Sequence, residues 1–245
     1  MQIIDSNFHV IYLPEVDSTS GYLKRKISEG LLVENTLCLT ENQTQGYGQR
    51  GRSWLHAKHG LALSYAVLLN EPIRSSMSAE VALLLHEYLT ANCNDTIQLK
   101  WPNDLFNASG KVAGILLEVQ RNPVTKRYFM VIGIGLNLLS APKLEEGDYP
   151  VSALNSLDKQ SFITHFSGAL YQHFSLGYCE MPFSQAYWSR HDYFQPNQPV
   201  IVYDTDQIIE AQYIGVNEKA ELQLKINNAL VCYQSSRVSV RANKG

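Results

Sequence analysis

Residues 41–54 read Glu-Asn-Gln-Thr-Gln-Gly-Tyr-Gly-Gln-Arg-Gly-Arg-Ser-Trp, with three glycines, two arginines and no acid after Glu41. Such a loop offers backbone N–H groups and positive charge, the means by which a chain binds anions and phosphates above all. Trp54 closes it with a large apolar anchor. The same composition also makes ordinary solvated turns, so other segments must converge on the loop before it reads as a site.

Four other stretches could carry chemistry. Lys111 begins the apolar run Val112-Ala113-Gly114-Ile115-Leu116-Leu117, and Gly114 allows close backbone approach. A partly desolvated lysine there would stabilise negative charge developing in a transition state; the plain alternative is an edge lysine. It is not a phosphate-binding P-loop, because position 105 is Leu and Val112 follows the lysine. Lys100-Trp101-Pro102-Asn103-Asp104 ends a strand and sets Asn103 and Asp104 at its tip, where α/β sheets bind ligands, although Pro-Asn-Asp is also common turn chemistry. Gly133-Ile134-Gly135-Leu136-Asn137-Leu138 lacks the third glycine of a dinucleotide fingerprint; its small residues suggest a backbone floor for a flat ligand. Asp17-Ser18-Thr19 suits a helix cap and would equally suit a ureido or amide group. His56 and His59 lack further ligands for a metal, and no metal-binding residue is assigned. No Gly-x-Ser-x-Gly elbow or Cys/His pairing supports a covalent nucleophile.

These residues need a scaffold. Strands are expected over 8–13 (stopped by Pro14), 37–39, 61–69, 97–101, 111–120 and 128–138, the last two joined as a hairpin across Arg121-Asn122-Pro123. Helices are expected from Ser18 or Thr19 to Glu29 with Gly30 as the stop, over 76–89, from Asp158 to about Tyr178, and from Pro182 to about Arg190. The loop 140–149 could fold over a ligand. From Pro199 onward five short strands alternate with turns, as in a small barrel. This predicts an α+β protein: a mixed-sheet domain over 1–195 and a β-barrel over 196–245.

The chain has 245 residues, 45% hydrophobic and 18% charged, with net charge −3, so an anion site must be local and no basic field draws it to nucleic acid. The apolar run 61–69 is too short to span a bilayer. Without a basic N-terminal signal region, and with Cys38, Cys93, Cys179 and Cys232 scattered, the chain reads as cytoplasmic with reduced, mostly buried thiols.

Taken in order, the motifs resemble those of the biotin–protein ligases: Val16-Asp17-Ser18-Thr19; Gln43 with Gly46 to Trp54; Lys100 to Asp104; Lys111 to Leu116; Gly133 to Asn137. The resemblance covers nearly the whole chain. It implies a biotin/lipoate-ligase catalytic sheet with an SH3-like C-terminal barrel. It also implies a two-step reaction, in which biotin and MgATP give biotinyl-5′-AMP and a lysine of a biotin carboxyl carrier domain then accepts the biotin. By resemblance, Lys111, Asp104 and Arg50 are catalytic, with Lys111 touching the biotin carboxyl and the α-phosphate. Ser18, Thr19 and Gln43 hold the biotin head group. Gly114, Gly133 and Gly135 make room for it. Arg50 and Arg52 face the ATP phosphates within the loop Gly46, Tyr47, Gly48, Gln49 and Gly51, which Trp54 anchors. Asn103 and Asp104 face the adenylate and the incoming lysine, and Asn137 lies near the nucleotide.

The chain departs from the family pattern in places. Tyr47 and Gln49 stand where the loop usually carries arginines. Losing the second removes a charge-assisted contact, so weaker retention of the adenylate is expected. Ser20 replaces a usual Asn, Arg237 a usual acid, and Tyr149 is the candidate for stacking on adenine. The chain starts at the catalytic domain, so no winged helix and no operator binding are expected. Family members occur as monomers and dimers, which leaves a homodimer open. A lipoate or octanoate transferase would not need Ser18, Thr19 and Gln43 together, and a degenerate biotin sensor would not need Lys111.

Overall fold

The computed structural model describes residues 7–55, 60–70, 72–141, 149–176, 183–204, 207–234 and 238–243. His56, His59, Cys179, Pro182, Arg237 and most of the loop 140–149 lie outside the described residues.

The mixed sheet is present. It contains β1 (His9–Val16), β2 (Thr36–Gln43), β3 (Leu61–Leu68), β4 (Gln98–Lys100), β5 (Asp104–Asn107), β6 (Gly110–Arg121) and β7 (Tyr128–Leu136), in the order β1-β2-β3-β7-β6-β5-β4. β1 and β2 are parallel, joined by the crossover helix α1 (Thr19–Ser28); the other pairs are antiparallel. Ser18 caps α1 by accepting from Gly21 N at 3.2 Å, and Gly30, at φ 75°, ends the segment as expected. Side chains alternate across the strands. On β3 and β7, Ala66 and Val131 face Leu23 and Ile27 of α1, whereas Tyr65, Val67, Met130 and Ile132 face the larger core. That core holds residues of α2 (Met77–Asn92) and α3 (Lys159–Leu170).

Several expectations change. β1 runs through Pro14 to Val16, because β1 is the edge of the sheet and a missing N–H costs no ladder bond there. The motif after Lys100 is a hairpin turn, and Asp104 opens β5, a strand too short to show alternation in the sequence. α3 stops at Leu170 and continues as a π-helical turn, Tyr171–Ser175. α4 (Gln185–Arg190) starts at a Ser184 cap, later than expected. Of the three cysteines described, only Cys38 is buried; burial pushes its thiol up to about 12, which makes it inert.

The C-terminal segment forms a second antiparallel sheet from β8 (Pro199–Asp204), β9 (Gln207–Val216), β10 (Leu222–Ile226), β11 (Ala229–Tyr233) and β12 (Val238–Ala242). Its order, β11-β10-β9-β8-β12, shows that the fifth strand returns to β8 instead of continuing the meander. The sheet shares one apolar cluster with the large sheet, where Leu99 and Trp101 join Val200, Tyr213, Leu222 and Val240. Trp101 is buried, and its indole N–H donates to Ala220 O at 2.9 Å. The strand-ending tryptophan of the Lys-Trp-Pro motif therefore seats the second sheet beside the tip of β4.

Candidate active site

The cavity has a flat floor made by glycines. Gly133 and Gly135 lie two residues apart on β7, so they share a face. A β-carbon at Gly133 would come within 2.5 Å of Ser20 Oγ, and one at Gly135 would overlap the Trp54 indole. Gly114, opposite Gly135 on β6, would meet the same ring at 2.9 Å. The room expected for a flat ligand over Gly114 and Gly135 is thus taken by the loop's own tryptophan.

Hydroxyls and an amide gather at the Gly133 end. Gln43 Oε1 accepts from Thr19 N at 3.0 Å and from Thr19 Oγ1 at 3.2 Å. Thr19 Oγ1 is also hydrogen-bonded to Ser64 Oγ at 2.7 Å, and Ser20 Oγ to the same atom at 2.8 Å. A β-carbon at Gly46 would overlap the Gln43 amide, so the glycine lets the loop pass over it.

Cations gather at the other end. Lys111 Nζ pairs with Asp104 Oδ1 at 2.6 Å and lies 5.3 Å from the Trp54 ring centroid. Lys100 is only 5% exposed, with Nζ 4.6 Å from the centroid of Tyr149. Burial pushes Lys100 down to about 8; Lys111, Arg241 and Arg52 push the same way, and Asp104 opposes them. Among the described residues the cavity, about 740 Å³, is lined by four cationic side chains (Arg52, Lys100, Lys111 and Arg241) and one carboxylate, Asp104. In a chain of net charge −3 this is a local concentration of positive charge, whose mutual repulsion a bound anion relieves.

The glycine loop forms a hairpin over this cavity. Gly48 N donates to Arg52 O at 2.7 Å and Trp54 N to Gly46 O at 2.8 Å. Its tip turns at Arg50 and Gly51, at φ 58° and 70°, in the left-handed region where glycine is at ease and arginine is not. Tyr47, Gly48, Gln49, Arg52 and Trp54 line the cavity. Arg50 is exposed at the tip and, like Gly46 and Gly51, is not among the residues that line the cavity.

The other expected residues, Ser18, Thr19, Gln43, Asn103, Asp104, Lys111, Gly114, Gly133, Gly135 and Asn137, are all brought to the wall. The two asparagines brace it. Asn103 Nδ2 donates to Ile115 O, and Asn137 Nδ2 to Lys111 O at 3.3 Å. Tyr149 also reaches the wall, and its hydroxyl donates to Val240 O at 2.6 Å. Sequence reasoning missed Ser20, Ser64, Ser239 and Arg241 as lining residues, and quoted Lys100 without assigning it a role. Ser64, a hydroxyl inside the apolar run of β3, was a usable signal. Ser239 and Arg241 reach the wall only because β12 docks there. Among the described residues Ser239 Oγ finds no hydrogen-bond partner in its buried position.

A sequence model of the biotin/lipoate A/B protein ligase family matches residues 12–137. The chain belongs to this family. Within the biotin/lipoate ligase segment lie the glycine floor, the hydroxyl cluster and the Lys111–Asp104 pair, whereas Tyr149, Ser239 and Arg241 lie beyond it. Relatives include the bifunctional ligase/repressor BirA of Escherichia coli, 33% identical over 132 residues that make up 53% of this chain and 40% of that protein. The biotin–[acetyl-CoA-carboxylase] ligase of Mycobacterium tuberculosis is 32% identical over 151 residues, 58% of this chain and 53% of that one. The chain thus spans about half, or less, of the length of these relatives. The biotin protein ligase from Aquifex aeolicus in complex with biotin and ATP has the same fold, with a TM-score of 0.79 over 96% of this chain and 99% of that one at 21% identity.

Proposed function

We propose that this chain is a biotin–protein ligase that activates biotin with MgATP to biotinyl-5′-AMP and transfers the biotin to a specific lysine of a biotin carboxyl carrier domain. The observation that carries the reading is the two-ended cavity. The hydroxyl–amide cluster meets the floor at Gly133, and Lys111 meets it at Gly114, whose strand partner Gly135 stands two residues, roughly 7 Å, from Gly133 along β7. A ureido ring in the first and a phosphoryl centre in the second would put a biotin carboxylate beside Lys111.

In the first step the biotin carboxylate attacks the α-phosphorus and pyrophosphate leaves. Lys111 and Arg52 offset the charge that builds on the phosphoryl oxygens, and Lys100 adds its field from beneath Tyr149. In the second step the acceptor amine attacks the acyl carbon, AMP leaves, and the amine sheds a proton. Asp104, the lining carboxylate, is the group suited to receive it. Magnesium enters with the triphosphate as part of the substrate.

The division into a catalytic domain over 1–195 and an SH3-like barrel over 196–245 belongs to this reading, as does a cytoplasmic location. Among the described residues no helix is long and apolar enough to cross a membrane. The test is transfer of labelled biotin to a carrier domain with MgATP, alongside biotin-dependent ATP–pyrophosphate exchange. Lys111→Ala is expected to lose at least about a hundredfold in rate. Wild-type chain that neither exchanges nor transfers, or that accepts lipoate in place of biotin, refutes the reading.

A further inference from the structure

The loop between β2 and β3 is tied down by a side chain that the mechanism above does not use. Tyr47 donates its hydroxyl to Glu118 Oε2 at 2.9 Å. Glu118 Oε1 in turn binds Lys24 Nζ at 2.6 Å, and that ammonium lies 5.5 Å from the Tyr47 ring centroid. Glu118 sits in the middle of β6, paired with Val131 of β7, and Lys24 sits in α1 between the buried Leu23 and Ile27. Both anchors therefore stand on rigid elements.

The loop's stem is held by backbone bonds, Thr44 N to Val16 O at 3.0 Å and Gln45 N to Asp17 O at 2.7 Å. Beyond Gln45 the bonds from Gly48 to Arg52 and from Trp54 to Gly46 close the loop on itself and do not fix it to the sheet. Fixing it there falls to side chains, Trp54 on the glycine floor and Tyr47 on Glu118.

We propose that Tyr47 is a positioning residue, which with Glu118 as acceptor and Lys24 as counter-charge latches the anion-binding loop over the cavity and slows escape of the acyl-adenylate. The part concerning the adenylate rests on the proposed ligase function; the latch itself does not. Burial raises the pKa of the Tyr47 hydroxyl against the pull of Lys24, so it stays a donor at neutral pH.

Trypsin tests the latch without ligand, because Arg50 and Arg52 are exposed. Tyr47→Phe and Glu118→Ala are expected to be cut after these arginines about tenfold faster than wild type, with an unchanged thermal midpoint. Glu118→Gln keeps a carbonyl acceptor for Tyr47 and should fall between. Unchanged cleavage in either Tyr47→Phe or Glu118→Ala overturns the latch. With biotin and MgATP, both variants should release labelled adenylate about tenfold faster in a chase. Faster cleavage with unchanged release overturns the role in retention. If wild-type chain forms no adenylate, the ligase reading and the retention role fail together, and the protease arm still decides the latch.

Discussion

Trp54 and Gly135 occupy a single space: the indole lies where a β-carbon at residue 135 would stand. Gly135→Ala must therefore lift the ring from the floor, a small-to-large change in a filled space that costs about 1–3 kcal/mol. Trp54 emission is expected to shift to the red, and kcat/KM for biotin to fall about tenfold or more. An unshifted spectrum with unchanged kinetics would show that the ring does not rest on Gly135 in solution.

Ser64 is the fully buried hub of the hydroxyl cluster, and the Ser20 hydroxyl is hydrogen-bonded to it. Ser64→Ala leaves the Ser20 hydroxyl without that partner, at a cost of about 1–3 kcal/mol. KM for biotin should rise about tenfold while kcat changes little, because the cluster lies away from the reacting centre. A fall in kcat at constant KM would place the cluster's role elsewhere.

Lys100 titrates near 8 against an ordinary 10.5. Between those values the folded chain has released a proton that the unfolded chain still binds, so this group's contribution to stability rises with pH across that window and is least favourable below it. Nucleotide affinity runs the other way, since Lys100 loses its charge above about pH 8. ATP binding followed by calorimetry from roughly pH 7 to 9.5 should weaken with an inflection near 8, and Lys100→Met should abolish the inflection. The same inflection in the variant would assign it to another group.

Gln49 lines the cavity and can donate hydrogen bonds, but it brings no charge. Gln49→Arg restores a charge-assisted contact worth about 1.5–3 kcal/mol, so adenylate release should slow by ten- to a hundredfold. Equal release rates for the two proteins would sink the idea that Gln49 weakens retention.

Local signals are legible where the physics is local. The Ser18 cap, the Gly30 stop, the β6–β7 hairpin and the Asp158 cap of α3 each follow from turn or capping chemistry within a few residues. Pro14 misled because a proline stops a strand only when its N–H would have been paired, and edge position is not a local property. β5 is not legible in the sequence, because four residues hold too little alternation. The return of β12 to β8 depends on which edges remain open after the other strands pair.

What the sequence determined by itself was the ordered set of chemical groups: the hydroxyls at 18–19, Gln43, the glycine loop, the Lys100 motif, Lys111 and the glycines of β7. Their order carries the resemblance to the family, and the caps, turns and alternating strands that hold them follow from chemistry that acts within a few residues. Only the tertiary structure decided that Trp54 fills the floor, that Arg50 stands outside the wall, that Tyr47 reaches Glu118, and that Arg241 arrives from the second sheet. Each of these joins segments far apart in the chain. Such contacts are set by how faces pack against one another, which no short stretch of residues encodes.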